Sequence, residues 1–224
     1  MNLNSVTLIR SSRKSISIII HPDGNVVVRA PYRATKKQIS DVLDKRKDWI
    51  QKHLNTFDKL GPAYSQRRFA DGEKHLFMGK EYILRINQEQ VNSVTKNEQS
   101  IYINCTNDEL VKPLMEQWYK EKANELMPEV IMPVITKFEN TYHKSPAKVT
   151  LKNMKSRWGS CSSKGNISMN TKLIKSPVIC IEYVMAHELC HLIEMNHSKN
   201  YYALLNEFMP DWKERKKKLD HFMR

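Results

Sequence analysis

A short histidine motif inside an apolar segment constrains this chain more than any other feature. Residues 187–191 read H-E-L-C-H, which matches the pattern H-E-x-x-H. On an α-helix, side chains four residues apart lie on one face with Cβ atoms about 5–6 Å apart, so His187 and His191 can bind one metal ion. Glu188 lies about 100° around the helix from His187, where its carboxylate can reach a water molecule on that ion.

The residues around the motif predict a buried helix with a defined start. Most other residues between 178 and 193 are apolar, and a helix that is apolar nearly all round is a buried one. Ser176 is a suitable N-cap and Pro177 suits the first helical position, so we expect the helix to begin there. Buried histidine and glutamate side chains need compensating partners, and a metal ion is one such partner. The alternative is a pair of core histidines that form hydrogen bonds with backbone carbonyls.

Three residues compete for the third ligand position. His197 stands six residues after the motif, which extends the pattern to H-E-x-x-H-x5-H, the spacing of the metzincins. Metzincins have a glycine where Glu194 stands here, so we expect Asn196 to make the turn in a left-handed conformation. Glu194 is itself a rival ligand or a supporting partner of the site. Glu207 is a second rival, because it lies on a later predicted helix, from which some zinc peptidases take a glutamate ligand.

Charge and cysteine content set the expected partners and compartment. The net charge of this 224-residue chain is +13, which favours acidic partners and makes weak, non-specific nucleic-acid contact a candidate property. The four cysteines include no C-x-x-C pair, and Cys180 and Cys190 are expected to be small buried residues. The first residues lack an apolar signal core, and no run of about 18 apolar residues exists. These features predict a cytoplasmic protein with reduced thiols and no membrane association.

Residues 1–105 predict a mostly-β region that contains one long helix. Thr35 and Gln38 form a capping box, and the helix that they open is expected to reach Thr56 with Trp49 on its buried face. The polar residues 91–100 are expected to form a mobile hairpin tip. The β-rich segments are at 6–9, 15–20, 26–28, 68–77, 82–86 and 101–105.

Residues 106–224 predict a second domain of helices and a small sheet, which makes the fold class α+β. Helical pattern covers 108–142, where Pro128 and Pro133 allow either two helices or one kinked helix. Strand pattern resumes at 149–151, and a hairpin ending in residues 166–170 precedes the histidine motif. Two short helices follow, at 201–208 and 213–219, and the second is rich in lysine.

Several segments of the chain together resemble a known family. The stretches SRWGSCSSKGNISMN, CIEYVMAHELCHLIEMNHS and FMPDW are similar to the YgjP-like metallopeptidases, which are distant relatives of the SprT-like zinc proteases. The N-terminal stretch RSSRKSISIIIHPDGNVVVRAP also resembles that family. The resemblance implies a zincin-like domain over residues 106–224. It also implies that Zn²⁺ is held by His187, His191 and His197, with Glu188 as the general base. It leaves the substrate undefined, although the SprT-like relatives act on proteins crosslinked to DNA.

The expected reaction is hydrolysis of a peptide or protein substrate by a metal-bound water, with Glu188 taking the proton. We expect the substrate to lie as an added strand along the edge of the hairpin that ends at residues 166–170. Zincins also supply a donor for the oxyanion of the intermediate. The candidates for that donor are Arg157, Asn170, Tyr201 and Tyr202.

Two functions from other classes stay open at this point. The first is a metal-dependent nuclease, because H-x3-H-x5-H also resembles the arrangement in a bacterial rRNA-processing endoribonuclease family. That family has no obligatory glutamate after the first histidine, so Glu188 favours a peptidase. The second is a nucleic-acid-binding module with a structural zinc ion. Structural zinc sites usually have four protein ligands, and the sequence offers no well-spaced fourth ligand.

Overall fold

The computed structural model of the protein describes residues 6–20, 25–58, 68–155 and 157–222. These residues belong to two compact units, one within residues 1–67 and the other within residues 68–223. Strands and helices follow one another in separate runs in both units, so the predicted α+β fold class is confirmed. None of the helices in the described ranges has the length and apolar character that crossing a bilayer requires.

The first unit packs a small sheet against two helices. Along the central strand every second residue is buried, which is the alternation expected when one sheet face lies on a core. The side chains of that core include Val28, Ile39, Leu43 and Ile50. The elements are β1 (Thr7–Ser11), β2 (Ser17–Ile20), β3 (Val26–Pro31), α1 (Lys36–Lys45) and α2 (Lys47–Asp58), with strand order β1-β3-β2.

The predicted capping box is present, but the single long helix is not. The backbone N–H of Gln38 donates to Thr35 Oγ1 at 3.1 Å, and the N–H of Thr35 donates to Gln38 Oε1 at 2.9 Å. The chain leaves the helical conformation at Arg46, where φ is −108° and ψ is 8°, and α2 then starts again. This break changes the helical phase, so Trp49 is 39% exposed instead of buried.

The second unit begins with a four-stranded sheet of mixed direction. Residues 93–96 pair with a neighbouring strand, so the prediction of a mobile hairpin tip over 91–100 is wrong for this part. The turn at Met78 and Gly79 touches the later helical region, because the two backbone N–H groups donate to Ile174 O at 2.8 Å and Lys175 O at 3.1 Å. The strands are β4 (Lys74–Phe77), β5 (Lys80–Gln88), β6 (Ser93–Lys96) and β7 (Ser100–Cys105), in the order β4-β5-β7-β6.

A single long helix, α3 (Val111–Tyr142), forms the centre of the second unit. Pro128 and Pro133 both lie inside it, which decides between the two predicted alternatives in favour of one helix. Each proline removes only one backbone hydrogen bond, whereas the helix buries a stripe of apolar side chains on both sides of the prolines. The buried residues include Met115, Ala123, Met127, Ile135 and Phe138.

A second small sheet and the histidine helix complete the unit. The sheet order is β8-β10-β9, so β10 is the central strand and β9 is an outer one. The remaining elements are β8 (Lys148–Lys152), β9 (Gly159–Cys161), β10 (Asn166–Asn170), α4 (Val178–Cys190), α5 (Lys199–Phe208) and α6 (Trp212–Phe222). Residues from β5, β7, α3 and α4 share one core. The predicted boundary at residue 105, between the domains 1–105 and 106–224, stays a prediction that limited proteolysis would test.

Candidate metal centre

The histidine motif lies on α4, which is buried as predicted. Its N-cap is Pro177, and Ser176 does not cap it, because the Ser176 hydroxyl donates to Leu173 O at 2.7 Å. The expected start at Ser176 is therefore one residue too early. The reason is that Ser176 ends the 3-10 helix Thr171–Lys175, which runs directly into α4. Val178 is 37% exposed, but most of the following residues of α4 are buried.

His187 and His191 lie one helical turn apart, with ring centroids 5.1 Å apart. His191 is held by its neighbours. Its Nδ1 is 3.0 Å from the carbonyl oxygen of Glu194, which favours the tautomer in which Nδ1–H donates and Nε2 keeps its lone pair. The Tyr201 ring stacks on the other side, with centroids 4.7 Å apart and an interplanar angle of 27°. The Tyr201 hydroxyl donates to His187 O at 3.0 Å and so ties α5 to α4.

The chain turns sharply after α4 and returns His197 to the motif. The backbone N–H groups of Leu192 and Ile193 donate to carbonyls three residues earlier, at 2.9 and 3.1 Å, which tightens the last turn. The backbone of Asn196 has no positive φ, so the predicted left-handed turn at this residue is wrong. The tightened turn and the hydrogen bond between His191 and the Glu194 carbonyl replace it.

The three histidines form a cluster that fits a metal ion. One nitrogen from each ring lies within 4.8 Å of the others, and the Nε2 atoms of His187 and His197 are 3.1 Å apart. Two ligands about 2.1 Å from a tetrahedral ion stand about 3.4 Å apart, so this spacing needs little adjustment. Imidazole nitrogens are ligands that divalent transition metals prefer. This donor set is therefore suited to hold a divalent transition metal ion.

Burial favours the neutral form of His187 and His191, which is the form that binds metal. It lowers the pKa of His187 to about 4, and the nearby His191, His197 and Lys216 contribute in the same direction. Burial also lowers the pKa of His191, partly offset by its hydrogen bond to the Glu194 backbone. Protons therefore compete with a metal ion at these two residues only in acid.

Glu188 is 5% exposed and lies on α4 beside the histidines, outside their cluster. Burial raises the pKa of its carboxyl group to about 7, and the positive charge of Arg157 opposes the rise. A carboxyl group that titrates near neutrality can both accept and release a proton. The one-residue offset from His187 therefore places a carboxyl group with a raised pKa next to the candidate ligands.

The Glu207 carboxylate has a partner elsewhere, and Glu194 contacts the site through its backbone. Glu207 accepts a hydrogen bond from the Tyr142 hydroxyl at 3.1 Å, and burial together with Glu207 raises the pKa of Tyr142 to about 12. Glu194 contributes its backbone carbonyl to His191. Within the part of the chain that the structure describes, the only cluster with metal-ligand spacing contains the three histidines and neither glutamate.

The four candidate oxyanion donors differ in what they already bind. Asn170 is 2% exposed, and its Nδ2 donates to Met154 O at 2.9 Å and to Arg157 O at 2.8 Å. The Tyr201 hydroxyl donates to the His187 carbonyl. Arg157 is exposed and close enough to affect the pKa of Glu188, and Tyr202 is 43% exposed with its ring stacked on Trp212. Asn170 and Tyr201 therefore already donate their side-chain hydrogen bonds to backbone carbonyls, which leaves Arg157 and Tyr202 as the two candidates for the oxyanion donor.

The cysteines of the helix stay outside the cluster. Cys180 and Cys190 are fully buried, and burial raises the pKa of their thiols to about 11 and about 12. Both are therefore the buried residues that the sequence predicts. All four cysteines carry thiols and form no disulfide. Cys161 is different, because the charge of Glu188 adds to burial in raising its pKa, which places β9 beside the candidate base. The sequence gives no signal for that proximity.

Comparison with known proteins found a family model that covers most of this chain. The family model described as "YgjP-like, metallopeptidase domain" matches residues 14–222. The metallopeptidase zymogen of Pyrococcus abyssi abylysin is 19% identical, with a TM-score of 0.38 over 44% of this chain and 97% of that one. The zymogen of Methanocaldococcus jannaschii jannalysin is 17% identical, with a TM-score of 0.36 over 42% and 93%. A search of curated proteins found no significant match.

Proposed function

Because the chain belongs to the YgjP-like family of metallopeptidases, we propose that it is a zinc-dependent peptidase with a three-histidine metal site. In this proposal His187, His191 and His197 hold the ion, and Glu188 is the general base. The resemblance noted in the sequence is thus confirmed at the level of the family, and the residue roles are our proposal.

The observation that carries the proposal is the juxtaposition of the histidine cluster with one buried carboxyl group. The cluster contains three donors among the described residues, which is the usual number of protein ligands in a catalytic zinc site, whereas structural sites use four. This donor number favours an enzyme over a binding module with structural zinc. The buried Glu188 favours a peptidase over the nuclease alternative, because a glutamate at this position is not obligatory in that alternative.

Zinc bound by three imidazoles supplies a Lewis acid that polarises a carbonyl and lowers the pKa of water toward ~7. Proton transfer, stabilisation of the oxyanion and orientation of the ligands fall to the protein residues. Glu188 accepts the proton of the attacking water and returns it to the leaving amine, which a pKa near neutrality allows in both directions. Arg157 carries a positive charge next to Glu188 and is suited to stabilise the oxyanion of the intermediate. Tyr201 orients the site by stacking on His191.

The substrate strand is expected at β9. The sequence predicts that it lies along the edge of the hairpin that ends at residues 166–170. Of the two strands in that hairpin, β10 is paired on both sides, with β8 in parallel and with β9 antiparallel. A peptide can add only to an outer strand, because a central strand has both rows of backbone groups in use. In the described sheet β9 is the outer strand nearest Glu188, so we propose that an extended peptide binds beside it.

Cleavage of an unstructured test protein by the zinc-loaded enzyme tests the proposal. Glu188→Gln should keep zinc and fold but cleave at least ~100-fold more slowly, the lower range for a lost general base. Glu129→Gln on the exposed surface of α3 makes the same chemical change away from the site and should cleave like wild type. Equal cleavage by Glu188→Gln and wild type would refute the assigned role.

A further inference from the structure

The outer strand β9 presents alternate residues to the helix that carries the candidate base. Residues two apart on a strand point to the same side, so Gly159 and Cys161 share one face of β9. Arg157, two residues before Gly159, falls on the same face if the chain is extended there. The ladder supports this register, since Gly159 pairs with Met169 and Asn170 N–H donates to Trp158 O at 2.8 Å. Arg157 and Cys161 both interact electrostatically with Glu188. The middle residue of this face therefore lies opposite the Glu188 carboxyl group.

At that middle position there is no room for a side chain. A Cβ atom on Gly159 would lie 2.7 Å from Cγ and 2.8 Å from Cδ of Glu188, and closer still to Oε1. Real Cβ atoms essentially never come within 3.0 Å of another group, so one of the two residues would have to move. The Glu188 side chain therefore packs directly on the backbone of Gly159.

The glycine is needed for space and not for backbone conformation. Gly79 has a φ of +78°, which other residues rarely adopt, and a Cβ there would also meet Pro177. Gly159 has no positive φ and lies in a regular antiparallel ladder. Alanine can adopt that backbone conformation without strain, so contact with Glu188 is the feature that excludes it.

Packing, and not hydrogen bonding, holds the Glu188 carboxyl group within the part of the chain that the structure describes. No hydrogen bond joins that carboxyl group to another described residue, although Glu188 is only 5% exposed. A buried general base must still be held in one orientation, because proton transfer needs heavy atoms within about 2.6–3.2 Å. The surface that defines this orientation on the β9 side is the Gly159 backbone.

We propose that Gly159 is a positioning residue, which fixes the Glu188 carboxyl group by direct contact with the backbone of β9. This inference rests on the proposed function, because it assigns Gly159 a part in catalysis through the general base. It also gives a physical role to the glycine of the segment W-G-S-C at 158–161, a segment that contains none of the proposed zinc ligands.

The test is to introduce Gly159→Ala into wild type, Glu188→Gln and Glu188→Ala, and to measure first the change in Tm by thermal unfolding. With wild-type Glu188 the added methyl should lower Tm by roughly 4 °C or more, the range for overpacking in a chain of this size. In Glu188→Gln the side chain has the same shape, so the loss should be equal. In Glu188→Ala the clash is gone, and Gly159→Ala should change Tm by less than about 1 °C. Ser160→Thr adds a carbon on the opposite face of β9, and its effect should be the same in all three backgrounds.

Kinetics of the zinc-loaded protein supply the second readout. Gly159→Ala should lower kcat by about tenfold or more while KM and zinc content stay at wild-type values, because the base is displaced and the ligands are not. An equal Tm loss in the Glu188→Ala background would overturn the proposal, and so would wild-type kcat in Gly159→Ala. If wild type cleaves no peptide while the Tm coupling is present, the proposed function fails and the contact between Gly159 and Glu188 stands.

Discussion

Replacing Asn170 by alanine should loosen the chain segment that carries Arg157. Asn170 is 2% exposed, and its side chain joins two backbone groups within the β8–β9 connection to one in the 3-10 helix Thr171–Lys175. Its Nδ2 donates to Met154 O at 2.9 Å and to Arg157 O at 2.8 Å, and its Oδ1 accepts from the N–H of Lys172 at 3.1 Å. A fourth contact, from Met154 N–H at 3.4 Å, is too long to add much.

The expected cost follows from these bonds. A hydrogen bond contributes about 1 kcal/mol net, so three good bonds correspond to about 3 kcal/mol of unfolding free energy. The partner groups are only partly buried, and water replaces some of the lost bonds. We therefore expect Asn170→Ala to lower the unfolding free energy by about 2–3 kcal/mol, which corresponds to a fall in Tm of about 5–10 °C.

Urea unfolding of Asn170→Ala and Asn170→Asp measures this directly. The aspartate keeps the acceptor for Lys172 but turns a carboxylate oxygen toward two carbonyl oxygens, so it should cost at least as much as alanine near pH 7. Zinc content should be unchanged in both variants, because the histidines lie on other elements. A change below about 0.5 kcal/mol for Asn170→Ala, with an unchanged m-value, would refute the reasoning.

Three further predictions concern the ligands, pH and charge. After dialysis against a mild chelator, His197→Ala should have lost its zinc, whereas Glu194→Ala and Glu207→Ala should have kept it; zinc loss from Glu207→Ala alone would make that glutamate the third ligand. In metal-free Glu188→Gln protein, the free energy of unfolding should fall as the pH drops from 6.5 to about 4. In this range His187 is protonated in the unfolded chain but stays neutral when it is buried in the folded protein. The Glu188→Gln change is needed because Glu188, whose pKa is raised from 4.5 to about 7, would make stability change with pH in the opposite direction. Unfolding free energies from urea titrations that do not change over this pH range would contradict the lowered pKa of His187. Finally, the net charge of +13 predicts weak binding of duplex DNA at ~50 mM salt that weakens steeply with added salt and with Lys→Gln changes at 213–218, and a salt-independent signal in fluorescence anisotropy would exclude it.

The sequence predicts those parts of the site that depend on local spacing. Four residues make about one helical turn, so His187 and His191 must share a face once α4 is a helix. The apolar residues around them predict its burial. Alternating burial along β5, at Tyr82 and Leu84, follows from the period of two in the same way.

The rest depends on contacts between distant segments, which local patterns do not encode. Strand order is set by pairing across the sheet, so the sequence shows a hairpin but not that its first strand, β9, is the outer one. The role of Gly159 depends on Glu188, which lies on another element. Asn196 was expected to make the turn from its own preference, but the turn accompanies the packing of His191 on Tyr201, which lies on α5.

Anomalous diffraction at the zinc edge tests the central claim most directly. Crystals of protein purified without chelator should show one strong peak per chain, about 2.1 Å from a nitrogen of each of His187, His191 and His197. The spacing of 3.1 Å between the Nε2 atoms of His187 and His197 leaves that position accessible to both rings. Absence of a peak within this cluster, or a peak in which Glu207 replaces His197, would contradict the three-histidine site.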